Sequence, residues 1–324
     1  MLKRIVRKLR NVSFINQLGR QVIRTWGVRS NVLYNRLTAY WLVSGQINYK
    51  FPGGSINLIS HADDAFTTKL FYKESWEEEV VFWITKLNEK ASVFFDVGAN
   101  IGFYSLVSLA LKPGLKVVAF EPNPINHTRI KENLSINKFS NIILEEKAVG
   151  AIQGKVKIYL PELPYISDVS SVYKSHSTSF NGFKHLAHEV DVISIDEFCS
   201  THSTYPDTIK IDVELYEFEV LRGMKNIFEA RQTSIFCEIF NDEVKRKTNK
   251  NLDSELPLNY TYQIEKLLKQ YDYYFYSITN QGILYQNTLR SSTSTYMYLL
   301  LPKKLKQEFY LKEEASIVLN EIYQ

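Results

Sequence analysis

The stretch Ser92-Val93-Phe94-Phe95-Asp96-Val97 is an apolar run of strand length, and it passes through Gly98-Ala99-Asn100-Ile101-Gly102 straight into a helix-like segment ending at Leu111. A strand this apolar is buried on both faces, and a helix at its end carries the chain to a parallel neighbour. The pattern repeats. Pro113-Gly114 breaks the helix, and Lys116-Val117-Val118-Ala119-Phe120 is a second buried strand, ended by Glu121-Pro122. Pro124 to Asn137 reads as a second helix with proline near its start, and Asn141 to Val149 as a third strand.

Gln153 to Leu160 and Val190 to Ile195 read as further strands around a polar stretch from Ser167 to His188. Thr208 to Val213 is the next core strand, with a helix following through Glu229, and Thr233 to Phe240 another strand. Leu252 to Gln270 includes a helix, and Tyr273 to Thr279 and Tyr296 to Leu301 are two strands around a loop from Asn280 to Thr295. Alternating buried strands and helices predict an α/β, Rossmann-like fold with a mostly parallel sheet. The late pair, with no helix between its members, predicts an antiparallel edge strand.

Residues 1–50 read as one or two helices, and Asn48 to Asp64, with Pro52-Gly53-Gly54, as turns and short strands. Ser75 to Leu87 reads as a helix that Ser75 can cap, with Glu77, Glu78 and Glu79 favouring its N-terminal end. The expected division is an extension over 1–75 and a main domain over 76–324.

The net charge of +4 is uneven: Lys3, Arg4, Arg7, Lys8, Arg10, Arg20 and Arg24 precede Trp26 with no acid among them. The remainder is slightly acidic, which argues against nucleic acid as a partner. Two readings of the basic stretch stay open: a solvated helix packed on its own domain, or a peripheral helix on an anionic membrane surface. It has no continuous apolar core of the signal-peptide kind, and no apolar run reaches membrane-spanning length. Cys199 and Cys237 form no C-x-x-C pair and no zinc spacing, which fits a reducing, cytoplasmic setting. The 21 Tyr and 19 Phe read as core packing before any glycan-stacking surface.

Three constellations carry chemistry. Asp96-Val97-Gly98-Ala99-Asn100-Ile101-Gly102 has the spacing D-x-G-x-x-x-G, which is neither the dinucleotide G-x-G-x-x-G nor a phosphate loop. The turn offers backbone N–H groups, Gly98 lets a ligand approach, and Gly102 lets the helix pack on the strand. A ligand bearing both carboxylate and ammonium suits a loop with an acid beside it, and the methionine end of S-adenosylmethionine has both. Glu121, about twenty residues further on at the end of the second strand, can accept hydrogen bonds from two ribose hydroxyls. Ile211-Asp212-Val213-Glu214 lies at the end of a core strand beside the ligand crevice. If the strand continues, Asp212 and Glu214 face opposite sides. Neither spacing nor ligand type demands a metal there, and none is expected.

In this order the motifs resemble the FkbM-type methyltransferase family. The resemblance runs from Phe94 to Gly102, through Phe120-Glu121-Pro122-Asn123, Ala148-Val149-Gly150 and Ser194-Ile195-Asp196-Glu197-Phe198, to Ile209-Lys210-Ile211-Asp212-Val213-Glu214, Glu219-Val220-Leu221-Arg222-Gly223-Met224 and Glu238. It implies a class I fold with a seven-stranded sheet, S-adenosylmethionine as cofactor, and O-methylation of a sugar, glycolipid or secondary metabolite. It places the cofactor on Asp96, Gly98, Asn100, Gly102, Phe103, Glu121, Pro122, Ala148 and Asp212. A base for the acceptor hydroxyl is sought among Asp212, Glu214 and a histidine, His176 first, with His185 and His188 beside it. Leu215 stands where the family usually has glycine, which predicts a narrowed acceptor side or a shifted loop. A non-catalytic, membrane-apposed glycan- or nucleoside-binding module is the alternative, and the missing G-x-G-x-x-G argues against a nicotinamide oxidoreductase.

Overall fold

The computed structural model describes residues 43–61, 65–73, 76–161, 171–174, 185–241, 256–279, 282–289, 297–302 and 317–318. Residues 1–42, on which the N-terminal helices and the basic stretch were expected, lie outside these, as do Ser75 and His176. Among the described residues no helix is long and apolar enough to cross a membrane.

The chain enters as an antiparallel hairpin, β1 (Ser44–Phe51) and β2 (Gly54–His61), turning at Pro52-Gly53. The end of the expected N-terminal helical region is therefore strand: Ile47, Tyr49 and Phe51 alternate inward, a period of two and not of helix. Helix α1 (Ala65–Lys73) and helix α2 (Glu78–Asn88) follow. No side chain caps α2, and Glu77 before it has a left-handed backbone with φ 39°.

The Rossmann-like core then alternates as predicted. It runs β3 (Val93–Val97), α3 (Phe103–Leu111), β4 (Lys116–Phe120), α4 (Pro124–Asn137) and β5 (Ile142–Glu145). After β6 (Ala148–Val149), β7 (Gly154–Pro161) and β8 (His185–Ile193) come α5 (Ile195–His202) and β9 (Thr208–Ile211). The chain closes with α6 (Glu217–Arg222), α7 (Lys225–Ala230), β10 (Ser234–Glu238), α8 (Tyr260–Gln270), β11 (Tyr273–Thr279), β12 (Gly282–Gln286), β13 (Met297–Pro302) and β14 (Ile317–Val318).

The main sheet has nine strands in the order β14-β12-β11-β13-β10-β9-β3-β4-β5, against the seven expected. Strands β5, β4, β3, β9 and β10 are parallel, while β13 is antiparallel to both β10 and β11. The antiparallel strand is thus interior and not an edge. Its sequence agrees, because Met297–Pro302 is buried at every position, as a strand covered on both faces must be. The extra strands are β12, which folds back on β11 within the expected loop, and β14 beside it.

Ala148–Val149 departs from the third strand. It pairs with β8 in a separate three-stranded sheet ordered β6-β8-β7.

Alternation along the strands divides the core. Phe94, Phe236, Leu299 and Leu301 face one side, packing with the hairpin, α1, α2 and α3. Phe95, Ile235, Cys237 and Leu300 face the other, under α5 to α8. The outer edge of β2 is covered by α4: the amide of Asn137 accepts from Asn57 N (2.8 Å) and donates to Asn57 O (2.7 Å). One turn earlier, the Asn133 side chain accepts from Ile59 N (2.8 Å) and donates to Ile101 O (3.0 Å). The hairpin is so tied to the loop after β3, where the cavity opens.

Candidate cofactor and acceptor site

A cavity of about 270 Å³ opens at the carboxyl ends of β3, β4, β9 and β10, the place where open α/β sheets take ligands. Of the predicted site residues, Gly98, Asn100, Phe103, Glu121, Pro122, Ala148, Asp212 and Glu214 line it. Asp96 and Gly102 stand behind the wall. His185 and His188 lie on β8 and do not line it.

Asp96 is fully buried and holds the start of α3. Its Oδ2 accepts from Ser105 N (3.1 Å) and Ser105 Oγ (2.6 Å), meeting one of the N–H groups a helix leaves unpaired in its first turn. Burial raises its pKa, with Lys210 and Ser105 opposing the rise. Gly102 has φ 84°, and this left-handed conformation, more than close packing, requires the glycine: an added Cβ would meet Ile130 at an ordinary 3.5 Å. Gly98 is required twice over, with φ 77° and a Cβ position 1.9 Å from the carbonyl oxygen of Asp212. What approaches Gly98 is the chain's own backbone. The N–H groups of Gly98 and Ala99 both donate to Phe120 O at 3.0 Å, so the turn spends them on β4 and not on a ligand.

Glu121 sits where these elements meet. It is 3% exposed; Oε2 accepts from Asn100 N (2.7 Å) and Oε1 from Asn123 N (2.8 Å). Burial pushes its pKa up to about 7 against these bonds. The Asn126 side chain bonds it as well, and the carboxylate keeps accepting capacity for one ribose hydroxyl. Asn100, with φ 53°, leaves its Oδ1 buried and without a partner on the same wall. A donor-bearing ligand such as the adenosyl group fits this side.

The opposite side is acidic. Asp212 Oδ2 lies 3.0 Å from Nζ of Lys210, a side chain 4% exposed. Burial works against the charge on Lys210, but Asp212, Asp96 and Glu77 outweigh it and hold its pKa above the ordinary value. Its ammonium also stands 4.9 Å over the Tyr104 ring, and the Tyr104 hydroxyl donates to Glu77. Glu238 completes the group, with its pKa pushed well up first by burial and then by Asp212, Glu214 and Glu217. Glu77 belongs to none of the motifs; Lys210 and Glu238 stand in them without an assigned role, and Tyr104 follows the glycine loop, where packing on the cofactor or within its own helix explains it equally well. Sheet register sets Lys210 beside Asp96 and Phe236, and the Tyr104 ring and its bond to Glu77 bring the helices to it. Among the described residues no His, Cys, Asp or Glu cluster is arranged for a metal.

The strand does not continue past Ile211. Glu214 and Leu215 are both left-handed, with φ 54° and 78°, so strand alternation does not apply to Asp212 and Glu214. Buried Glu217 holds this turn: its Oε1 accepts from Val213 N and Leu215 N at 3.2 Å, and its Oε2 from Tyr260 Oη at 2.6 Å. Ser171 Oγ adds a bond to Glu214 O at 2.9 Å. Leu215 is fully buried in the core under α5 to α8 and is absent from the cavity wall. It does not narrow the acceptor side; it occupies a glycine conformation with a leucine anchor.

The crevice of this Rossmann-like sheet thus sets Glu121, with its buried acceptor oxygens, opposite a group of carboxylates around Lys210. The family model for the methyltransferase FkbM domain matches residues 96–275, and the chain belongs to that family. The cofactor that goes with it is S-adenosylmethionine. The hexuronic acid methyltransferase AglP of Haloferax volcanii is 27% identical over 155 residues, 48% of this chain and 59% of that protein. Methyltransferase 1 of Beauveria bassiana is 26% identical over 145 residues, 41% of this chain and 58% of that protein. The chain thus spans under two thirds of the length of these curated relatives. The structure of an FkbM methyltransferase from Methylobacillus flagellatus KT aligns with a TM-score of 0.38 at 18% identity, covering 64% of this chain and 43% of that one.

Proposed function

We propose that the chain transfers a methyl group from S-adenosylmethionine to a hydroxyl of a sugar, glycolipid or secondary metabolite, with a sugar favoured. The observation that carries this is one cavity with two unlike walls: Glu121 and Asn100 on one side, Asp212, Glu214, Glu238 and Glu77 on the other. The hexuronic acid relative supports a sugar acceptor. When bound, S-adenosylmethionine supplies an activated methyl group on a sulfonium.

The residues of this chain do the rest. Glu121 and Asn100 would take the ribose, and Gly98, Phe103, Pro122 and Ala148 shape the surrounding wall. Lys210 holds Asp212 in place, and Asp212 or Glu214 accepts the hydrogen of the acceptor hydroxyl, orienting its oxygen for in-line attack.

Calorimetric titration with S-adenosylmethionine, followed by mass spectrometry of sugar acceptors for the mass of one added CH₂, tests the reading. Saturable binding with transfer to oxygen is expected; a folded protein that binds no S-adenosylmethionine rules it out.

We further propose that 76–324, completed by the hairpin and α1 that share its core and reach its cavity, forms the catalytic domain in a cytoplasmic setting, and that the basic stretch before Trp26 makes a peripheral contact with an anionic membrane surface. Full-length protein should then sediment with anionic liposomes, and a chain starting at Val43 should not. Equal sedimentation of the two removes the basic stretch as the anchor.

A further inference from the structure

Asn126 lies in the first turn of α4, yet it does not cap the helix; Asn123 does, accepting from Ile125 N at 3.1 Å. Asn126 is 1% exposed and forms part of the cavity wall. Its side-chain amide donates to the Glu121 carboxylate. That bond fixes the orientation of the amide, because the reverse would set an oxygen against a carboxylate. With the nitrogen so used, Asn126 Oδ1 is buried without a hydrogen-bond partner. Asn100 Oδ1, on the same wall, is in the same condition.

A buried acceptor with nothing to accept is unfavourable, and two of them around one carboxylate ask for a ligand. The character of the wall says which. Its side-chain oxygens from Glu121, Asn100 and Asn126 are all acceptors. Such a wall suits hydroxyl or amino donors and repels a phosphate, whose oxygens are acceptors too.

We propose that Asn126 is a specificity residue of the cofactor site: its Oδ1 accepts a hydrogen bond from a ribose hydroxyl beside Glu121, so that the wall admits an adenosyl group and rejects a ribose-phosphorylated nucleotide. This rests on the methyltransferase reading above. It adds a role for a residue that the loop and strand-end motifs leave aside.

The test is calorimetric titration of the full chain with S-adenosylhomocysteine and with its 2′-deoxy and 3′-deoxy forms. In the wild type, loss of the hydroxyl that Asn126 takes weakens binding about tenfold. In Asn126→Ala that penalty shrinks to about twofold or less, while the penalty for the other hydroxyl persists. Asn126→Asp keeps an acceptor oxygen and removes the donor to Glu121. It retains the hydroxyl penalty if Oδ1 is the contact, and loses it if Asn126 acts only by holding Glu121, which overturns the assignment. Equal penalties in wild type and Asn126→Ala overturn it as well. If melting shows the variants unfolded, a crystal structure of the wild type with S-adenosylhomocysteine decides: Oδ1 beyond hydrogen-bond distance of both hydroxyls refutes the contact. A wild type that binds S-adenosylhomocysteine while the assignment fails leaves the methyltransferase reading standing. A wild type that does not bind it overturns both.

Discussion

The two walls of the cavity are built on opposite physical terms. On the cofactor side, Glu121 is held by the backbone of Asn100 and Asn123, and Asp96 by Ser105. These bonds exist before any ligand arrives. On the acceptor side Asp212, Glu214 and Glu238 crowd one another around a single buried cation, Lys210, next to the strained backbones of Glu77, Glu214 and Leu215. The cofactor wall lies wholly within the family match, whereas Phe66, Lys69, Trp76 and Glu77 reach the cavity from before residue 96. A preorganised wall suits a ligand common to a family, and a wall holding charge and strain, completed by outlying residues, suits a reacting partner that differs from member to member.

If Lys210 alone holds the acceptor wall together, its loss is the most damaging change. Lys210→Met keeps most of the stem and removes the cation, leaving Asp96 and Asp212 facing each other in a buried space. Urea unfolding should show a loss of about 3–5 kcal/mol. A loss below about 1 kcal/mol would mean the carboxylates have relaxed or taken protons without it. The cofactor wall should answer differently. Glu121→Ala removes a charge-assisted bond to ribose, about 2 kcal/mol, so S-adenosylmethionine binds about thirtyfold more weakly by calorimetry. Asp96→Ala, by contrast, should lower the melting temperature more than the affinity, because its carboxylate caps α3 behind the wall.

What the sequence discloses follows the same division. Strand-then-helix periodicity and two acids at strand ends are local patterns, so the parallel core and Gly98, Asn100, Glu121 and Asp212 are legible without a structure. The acceptor wall is not local. Glu77 stands in line only as part of an acidic helix start, Tyr104 as a ring that cofactor packing and helix packing explain equally well, and Glu238 as the end of a strand; register and crossover join them. The interior placement of β13 is hidden for a related reason: apolar content reports burial on both faces but not which neighbours supply it. Asp96 was read as a ligand contact because a strand-end acid before a glycine turn looks the same whether it faces a cofactor or a helix end.

Leu215 sharpens the comparison at lower energy. Its side chain is buried where a glycine backbone would be at ease, so packing and strain oppose each other at one residue. Leu215→Ala keeps the left-handed strain and loses the packing, about 2–5 kcal/mol. Leu215→Gly loses the same packing and relieves the strain, so it should be less destabilising than the alanine variant by about 1 kcal/mol. Thermal or urea unfolding of the pair measures this directly. The reverse order would show that the turn relaxes once the leucine is gone, and that Glu217 does not hold it left-handed.

The smallest effect separates the walls by pH. Glu121 and Glu217 both have pKa values raised by burial to about 7, above the ordinary carboxylate value of 4.5. The folded protein therefore holds protons between about pH 4.5 and 7 that the unfolded chain has released. In the ligand-free protein the stability these two groups contribute is fully present below that window and is lost as pH rises through it. Binding runs the other way, because ionised Glu121 is the form that best accepts a ribose hydroxyl. From pH 8 to pH 6 the ionised fraction drops about tenfold, and S-adenosylmethionine affinity should drop with it, one proton being released on binding at pH 6. Calorimetry in buffers of different ionisation enthalpy reads that proton. Glu217 does not itself line the cavity and meets its wall only through Val213 N, away from Glu121, so Glu217→Gln should flatten the stability curve and leave the pH dependence of binding intact. If it alters the binding curve instead, Glu121 does not control the cofactor, and the two walls are coupled through the Val213-to-Leu215 turn that Glu217 holds.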